Sequence, residues 1–219
     1  MIKEEQLAKV MTLKDILFKL ETNQPFALTR WGDGEWYNIR KLKGANCDGN
    51  IYYPDLGDAL KEIVSVKQDY ILGAQDYKTF NLDSDVEKYY QDWIDADIFH
   101  KASMQGNLQP LIETLKNKYV TYIGNQDLKK LSFVTEFITI PQNNVWLQRE
   151  ALLNLVRSTF DDKQKVYCFS AGMATNVFIH ELWKENKTNT YIDVGSVFDP
   201  YVGKATRGYH KSLNLNKWK

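Results

Sequence analysis

The sequence predicts an α/β fold of Rossmann-like form, a mostly parallel sheet with helices on both faces. Two observations carry this expectation. Segments of strand character alternate with helical ones along the chain. Several strand candidates, such as Val166-Tyr167-Cys168-Phe169, are continuous apolar runs instead of alternating ones, the pattern of strands buried on both faces.

The elements follow in order. Thr12 with Asp15 three residues later forms a capping signal, and Leu13, Ile16, Leu17 and Leu20 share the face of the first helix. A short strand, Phe26-Ala27-Leu28-Thr29, runs into Arg30-Trp31-Gly32-Asp33-Gly34-Glu35, where a second helix starts and continues to Leu42. Residues 44–57 are turn-rich and read as a long loop, followed by a helix over 57–67 and the strand Tyr70-Ile71-Leu72-Gly73. Residues 83–99 read as a helix capped by Ser84, and another helix near 108–117 precedes the apolar run Tyr119-Val120-Thr121-Tyr122-Ile123. Phe133-Val134 and Phe137-Ile138-Thr139-Ile140 bracket a fourth strand closed by Pro141. Leu152, Val156 and Phe160 mark a helix face. Then come the strand 166–169, a helix from Ser170-Ala171-Gly172 to about Asn186, the strand Thr190-Tyr191-Ile192-Asp193-Val194, and a polar-aromatic tail. No repeat or low-complexity linker interrupts this series, so residues 1–219 are expected to form one domain.

Composition bounds the function. The chain has 219 residues, 43% hydrophobic and 26% charged, ordinary globular usage that needs no disulfide or metal staple to fold. Lys plus Arg and Asp plus Glu are 28 each, so the basic excess typical of polyanion binders is absent. The two cysteines, Cys47 in a polar loop and Cys168 in an apolar run, suggest neither a disulfide framework nor a zinc cluster, which favours a cytoplasmic setting. The charged N-terminal segment has no apolar signal core, and no apolar run reaches the roughly 18 residues of a membrane span.

In an open parallel sheet, ligands bind at the carboxyl ends of the strands. Four such ends are chemically loaded: Arg30 to Glu35, Gly124-Asn125, Ser170 to Met173, and Asp193 to Ser196. The first is the most specific. Asp33 and Glu35 would diverge within a regular helix, but flanking Gly32 and Gly34 allow positive φ at the turn and a common focus for both carboxylates. Two hard oxygen donors suit Mg²⁺ or Mn²⁺, and Arg30 offers a fixed charge for phosphate. The same residues also fit a solvated acidic turn with Asp33 as the helix N-cap. Small residues at Ser170-Ala171-Gly172 permit close approach of a ligand to a helix N-terminus, or simply tight packing. The tail from Asp193 to His210 suits a flexible lid, with Lys204 or Arg207 meeting phosphates and a tyrosine stacking on a base or sugar. His100, His180 and His210 share no metal-ligand spacing, and mid-helix His180 reads as structural. No G-x-S-x-G elbow occurs.

The segment Thr29-Arg30-Trp31-Gly32-Asp33-Gly34-Glu35 resembles the R-x-G-D-G-E motif of the GT-D-type glycosyltransferases, whose hallmark is an Asp-x-Glu pair. Phe169-Ser170-Ala171-Gly172 before a helix, then Tyr191-Ile192-Asp193-Val194-Gly195, is similar to their C-terminal segment, and the likeness spans about Phe26 to Tyr209. It implies a Rossmann-like fold and a nucleotide-sugar donor, usually a uridine diphosphate sugar, with Asp33 and Glu35 serving the donor and the metal. Arg30 matches the motif arginine. Donor contacts at Gly32, Gly34, Ser170, Ala171, Gly172, Asp193, Lys204 and Arg207 follow from position and charge. The Asp199-Pro200-Tyr201-Val202-Gly203-Lys204 stretch is similar to viral relatives, so the expected acceptor is a glycan or a modified nucleic-acid base. A homo-oligomer is compatible with the sequence.

Two other readings remain open at this level. A metal-dependent phosphodiesterase or nuclease also uses paired acids with a lysine, although such sites gather more carboxylates and histidines. A non-catalytic nucleotide- or glycan-binding module would bind a donor without hydrolysing it.

Overall fold

The computed structural model of the chain describes residues 11–75 and 92–213. Its centre is a seven-stranded sheet in the order β3-β2-β1-β7-β6-β4-β5, with every neighbouring pair parallel. The strands are β1 (Ala27–Trp31), β2 (Ile71–Ala74), β3 (Trp93–Asp95), β4 (Val120–Gly124), β5 (Glu136–Thr139), β6 (Val166–Phe169) and β7 (Thr190–Asp193). The expected α/β fold with a parallel sheet is therefore the observed one.

Helices cover both faces. On one side lie α2 (Asp33–Ile39), α3 (Pro54–Ser65), α6 (Arg149–Arg157) and α7 (Ala174–Glu185), packed on Ala27, Trp31, Tyr167, Phe169 and Tyr191 of the central strands. On the other lie α1 (Leu13–Glu21), α4 (Ile98–Met104) and α5 (Gln109–Lys116), packed on Leu28, Val166, Cys168 and Ile192. Successive residues of one strand thus serve opposite cores, which is why apolar side chains run without alternation in β6. Among the described residues no helix is long and apolar enough to cross a membrane.

Local signals explain most helix starts. Asp15 Oδ2 accepts from the Thr12 amide at 2.7 Å and from its hydroxyl at 2.8 Å, so the expected cap of α1 forms. Pro54 occupies the first turn of α3, where its fixed φ favours a helix and its missing N–H costs nothing, so α3 begins inside the stretch read as loop.

Two expectations need correction. Residues 83–99 were expected to be one helix. Positions 83–91 lie outside the described residues, but Trp93–Asp95 is an edge strand paired with β2 and a helix begins only at Ile98. Pairing along the β2 edge, Leu72↔Trp93 to Ala74↔Asp95, outweighs the helical pattern read across the longer segment. The strand bracketed by Phe133 and Ile140 is confined to Glu136–Thr139; Phe133 packs instead with Tyr122 and Phe198 in the second core.

The four strands with chemically loaded ends, β1, β7, β6 and β4, are consecutive in the sheet. β1 pairs with β7 only at Ala27↔Tyr191 and Leu28↔Ile192, while β1 continues along β2 to Trp31↔Ala74 and β7 continues along β6 to Phe169↔Asp193. The sheet therefore parts between β1 and β7 at its carboxyl edge, and a crevice opens there.

Candidate active site

Two adjoining chambers lie along this carboxyl edge, the first at the β1–β7 parting and the second past the ends of β7, β6 and β4. The larger, about 400 Å³, is lined by Arg30, Asp33, Glu35, His100 and Asp193, among others. The second, about 250 Å³, has Leu128, Ile140 and Val145 in its apolar wall and Asn125, Ser170, Lys204 and Arg207 among its polar lining. Every site residue expected from sequence lines one chamber or the other: Gly32 and Gly34 join the first, Ala171 the second, and Gly172 both.

Asp33 and Glu35 are the first and third residues of α2, with Gly32 at the N-cap position in place of the Asp33 cap that an acidic turn would have. Glu35 Oε2 turns back to accept from the Gly32 amide at 2.8 Å, and Asp33 Oδ1 accepts from the Gly34 amide at 2.8 Å. The fold-back of Glu35 past the helix start is what lets two residues, ordinarily divergent at this spacing, face one cavity. The expected positive φ at the glycines is not the reason. Gly32 is extended, with φ −112° and ψ −167°, and Gly34 is helical. Space is the better account at Gly34, where a Cβ would stand 3.0 Å from Met173 Sδ at the start of α7.

The carboxyl groups sit in an unusual electrostatic setting. Burial pushes Glu35 up to about 7, against the opposing Gly32 amide and with help from Asp193 and Asp33. Burial likewise raises Asp193 to about 6, opposed by the Arg30 guanidinium and the Gly195 amide. Gly195 donates to Asp193 Oδ1 at 2.9 Å.

Arg30, one residue before the end of β1, has its side chain on the α4 side of the sheet. Its Nε donates to the Ala96 carbonyl at 2.7 Å, and Nη2 lies 3.2 Å from His100 Nδ1 and 3.6 Å from Asp97 Oδ1. His100 Nδ1 is also 3.1 Å from Asp97. Burial alone would raise Asp97, but the His100 hydrogen bond and the Arg30 charge hold its carboxyl below the usual range. The guanidinium is thus gripped by the β3–α4 turn, and its Nη1 comes so close to Gly195 that a Cβ there would lie 2.3 Å away.

Three groups expected to be free for a ligand are already engaged. Ser170 Oγ donates to the Gly195 carbonyl at 2.5 Å and meets Tyr122 Oη at 2.7 Å, so it ties β6 to the turn after β7. Lys204 pairs with Asp127 at 2.6 Å, and Arg207 with Asp48 at 2.6 Å. The tail is folded down instead of standing as an open lid: 3-10 turns span Asp199–Val202 and Gly208–Ser212, and His210 is buried, its Nδ1 accepting from the Thr206 and Arg207 amides. Its tyrosines pack internally, Tyr201 on Phe198 and Tyr209 on His100.

Sequence reasoning missed several residues on the crevice. Asn46, Cys47 and Asp48 arrive because the 44–53 loop folds across it: Asn46 Oδ1 accepts from the Asp48 and Asn50 amides at 3.0 Å, and Asn50 Oδ1 accepts from Asn144 N–H at 2.8 Å. Asn-rich turn chemistry was the available signal. His100, which lines the first chamber, left none, and neither did Asn176, buried behind it against the Arg30 backbone. His180, as expected, is structural, with Tyr70 Oη 3.1 Å from its Nδ1. Cys168 is buried, Cys47 is exposed, and both are free. Among the described residues no group of three or more His, Cys, Asp or Glu is arranged to hold a metal ion.

No family model and no curated protein matches the sequence. Solved structures match in shape. The chain is similar to a glycosyltransferase of the domain-of-unknown-function 1792 type from Streptococcus sanguinis, with TM-score 0.68 and 17% identity over 91% of this chain and 86% of that one. It is also similar to a structure of that domain described as having a distinct glycosyltransferase fold, with TM-score 0.65 and 16% identity over 92% and 84%. A selenomethionine-substituted structure of the same domain gives 0.66 and 16% over the same shares. At these identities the likeness establishes the fold, the one expected from the motif.

Proposed function

We propose that this chain is a glycosyltransferase that moves a sugar from a nucleoside-diphosphate donor, a uridine diphosphate sugar in the first instance, to a hydroxyl of a glycan or a modified nucleic-acid base. The observation that carries the reading is the joining of two chambers along the carboxyl edge of the sheet, one rich in carboxylates and the other flanked by Lys204 and Arg207. The fold shared with solved glycosyltransferases supports it.

The reaction breaks the bond between the anomeric carbon and the diphosphate oxygen and forms one to the acceptor oxygen, whose proton must leave. Negative charge collects on the departing diphosphate. Arg30, held by Ala96 and Asp97, supplies a fixed positive charge beside the carboxylates. Lys204 and Arg207 meet the outer phosphate oxygens, and the start of α7 behind Gly172 adds its dipole.

Asp33 and Glu35 are the residues that would hold a divalent cation. The donor set fits Mg²⁺ or Mn²⁺: two hard carboxylates on one turn, without an all-protein cage, leave positions for water and phosphate oxygens. When bound, such an ion supplies Lewis-acid charge to the diphosphate. Glu35, raised to about 7, must lose its proton to bind a cation, so cation affinity rises with pH across neutrality. The same group is matched for accepting the proton of the acceptor hydroxyl near neutral pH.

The test is a thermal-shift and product assay with nucleoside-diphosphate sugars, with and without Mn²⁺. Stabilisation by the donor and release of free nucleoside diphosphate are expected. Stabilisation by none of the donors would sink the reading; cleavage of phosphodiester substrates instead would favour a hydrolase.

A further inference from the structure

The tail reaches across the crevice to the loop after α2. Arg207 Nη1 donates to Asp48 Oδ1 at 2.6 Å and Nη2 to Oδ2 at 2.7 Å. This fork-on-fork geometry is the one by which a guanidinium takes two phosphate oxygens. Asp48 and Arg207 line both chambers, together with Gly172, Gly195 and Ser196, so the pair stands at their junction. A diphosphate running from the carboxylates into the second chamber has to pass it.

The contact is built to exchange. Neither partner is sealed, with side-chain exposures of 30% for Arg207 and 34% for Asp48, so water and anions reach both. Gly203 and Gly208 bracket the segment; nothing lies within 4 Å of a Cβ at either, and Gly203 already has φ +83°. Lys204, at the other end of the segment, is held in the same manner by Asp127 Oδ2 at 2.6 Å and Asn125 Oδ1 at 3.3 Å.

We propose that Asp48 is an internal stand-in for phosphate: it holds Arg207 at the junction of the chambers until the donor's diphosphate replaces it, and so sets donor affinity. Asp48 is in this sense a positioning residue, acting through Arg207. The proposal rests on the donor reading above and adds to it a built-in competitor. Because the pair must open before Arg207 can close on phosphate, every donor-binding event carries the cost of breaking it.

Calorimetric titration of UDP in the presence of Mn²⁺ tests this on the full chain and on Asp48→Asn, Asp48→Ser, Arg207→Ala and the Asp48→Asn/Arg207→Ala double variant. Removing the competitor should tighten UDP binding by about two- to fivefold in both Asp48 variants, the range of a partly exposed ion pair. Arg207→Ala should weaken binding, and adding Asp48→Asn to it should restore nothing. An equal gain in the Arg207→Ala background would mean that Asp48 acts only through the general charge of the cleft, and would overturn the exchange. So would unchanged or weaker UDP binding in the two Asp48 variants when their thermal midpoints match the parent. In either case the donor reading stands, since UDP still binds. If UDP, GDP and ADP bind neither the parent chain nor any variant, the donor reading fails and the proposal with it.

Discussion

Asn176 of α7 clasps the peptide of Arg30 from both sides: its Oδ1 accepts from the Arg30 N–H at 3.3 Å and its Nδ2 donates to the Arg30 carbonyl at 2.9 Å. The amide thereby takes the place that β7 vacates when it parts from β1. One buried side chain satisfies the two backbone groups that the opening of the crevice would otherwise orphan. Asn176→Leu should cost about 2–3 kcal/mol, because both groups lose their partner. For a chain of this size that is about 4–12 °C in thermal midpoint, measurable by calorimetry. Donor affinity should fall with it, since Arg30 is displaced.

Asp33→Asn and Glu35→Gln should each lower sugar transfer by about a hundredfold or more. Both amides can still accept from the Gly34 and Gly32 amides, so the helix start survives. The readout is nucleoside-diphosphate release alongside far-ultraviolet circular dichroism. Full activity in both variants would remove the pair from the chemistry.

The raised carboxyl groups make a prediction about stability with a definite sign. Glu35 moves from an ordinary 4.5 to about 7 and Asp193 from 3.8 to about 6, both through burial. The folded chain therefore binds these protons more tightly than the unfolded chain does. Their contribution is fully present below about pH 4 and is lost as pH rises through 6 to 7. Glu35→Gln cannot ionise and escapes the loss. In EDTA at pH 8 it should melt about 2–6 °C above the parent, and below pH 5 the two should converge. A variant less stable than the parent at pH 8 would refute the burial account.

Gly195 combines φ +53° with the approach of Arg30 Nη1. A methyl group there would press on a guanidinium that Ala96 and Asp97 already hold, so the clash cannot be relieved by a simple swing. Gly195→Ala should cost about 1–3 kcal/mol and weaken UDP binding more than it weakens the fold. Gly208→Ala, with open space around its Cβ, should be close to neutral in stability. Thermal midpoints and calorimetric titration of the two variants separate these outcomes.

Local chemistry made much of the site readable from residues alone. Thr12 and Asp15 specify the start of α1 within four residues, and apolar runs such as Val166–Phe169 announce strands covered on both faces. The acid-bearing turn after β1 lies within one short segment, so Arg30, Asp33 and Glu35 were visible as a group. That ligands bind at the carboxyl ends of the strands was an expectation of the parallel sheet; that the four loaded ends are neighbours follows from the order β1, β7, β6, β4, which only the fold shows.

Where the determinants are distant in the chain, the residues were silent. Asn176 meets Arg30 across 146 positions, and Arg207 meets Asp48 across 159. No periodicity or spacing encodes such pairs, because they depend on which strands become neighbours and how far they splay. The same holds for Gly34, whose small size answers to Met173 of a distant helix and not to its own φ. Caps, runs and turns draw on contacts within a few residues. The parting of β1 from β7, the grip on Arg30 and the burial that raises Glu35 arise only when segments far apart in the chain pack together.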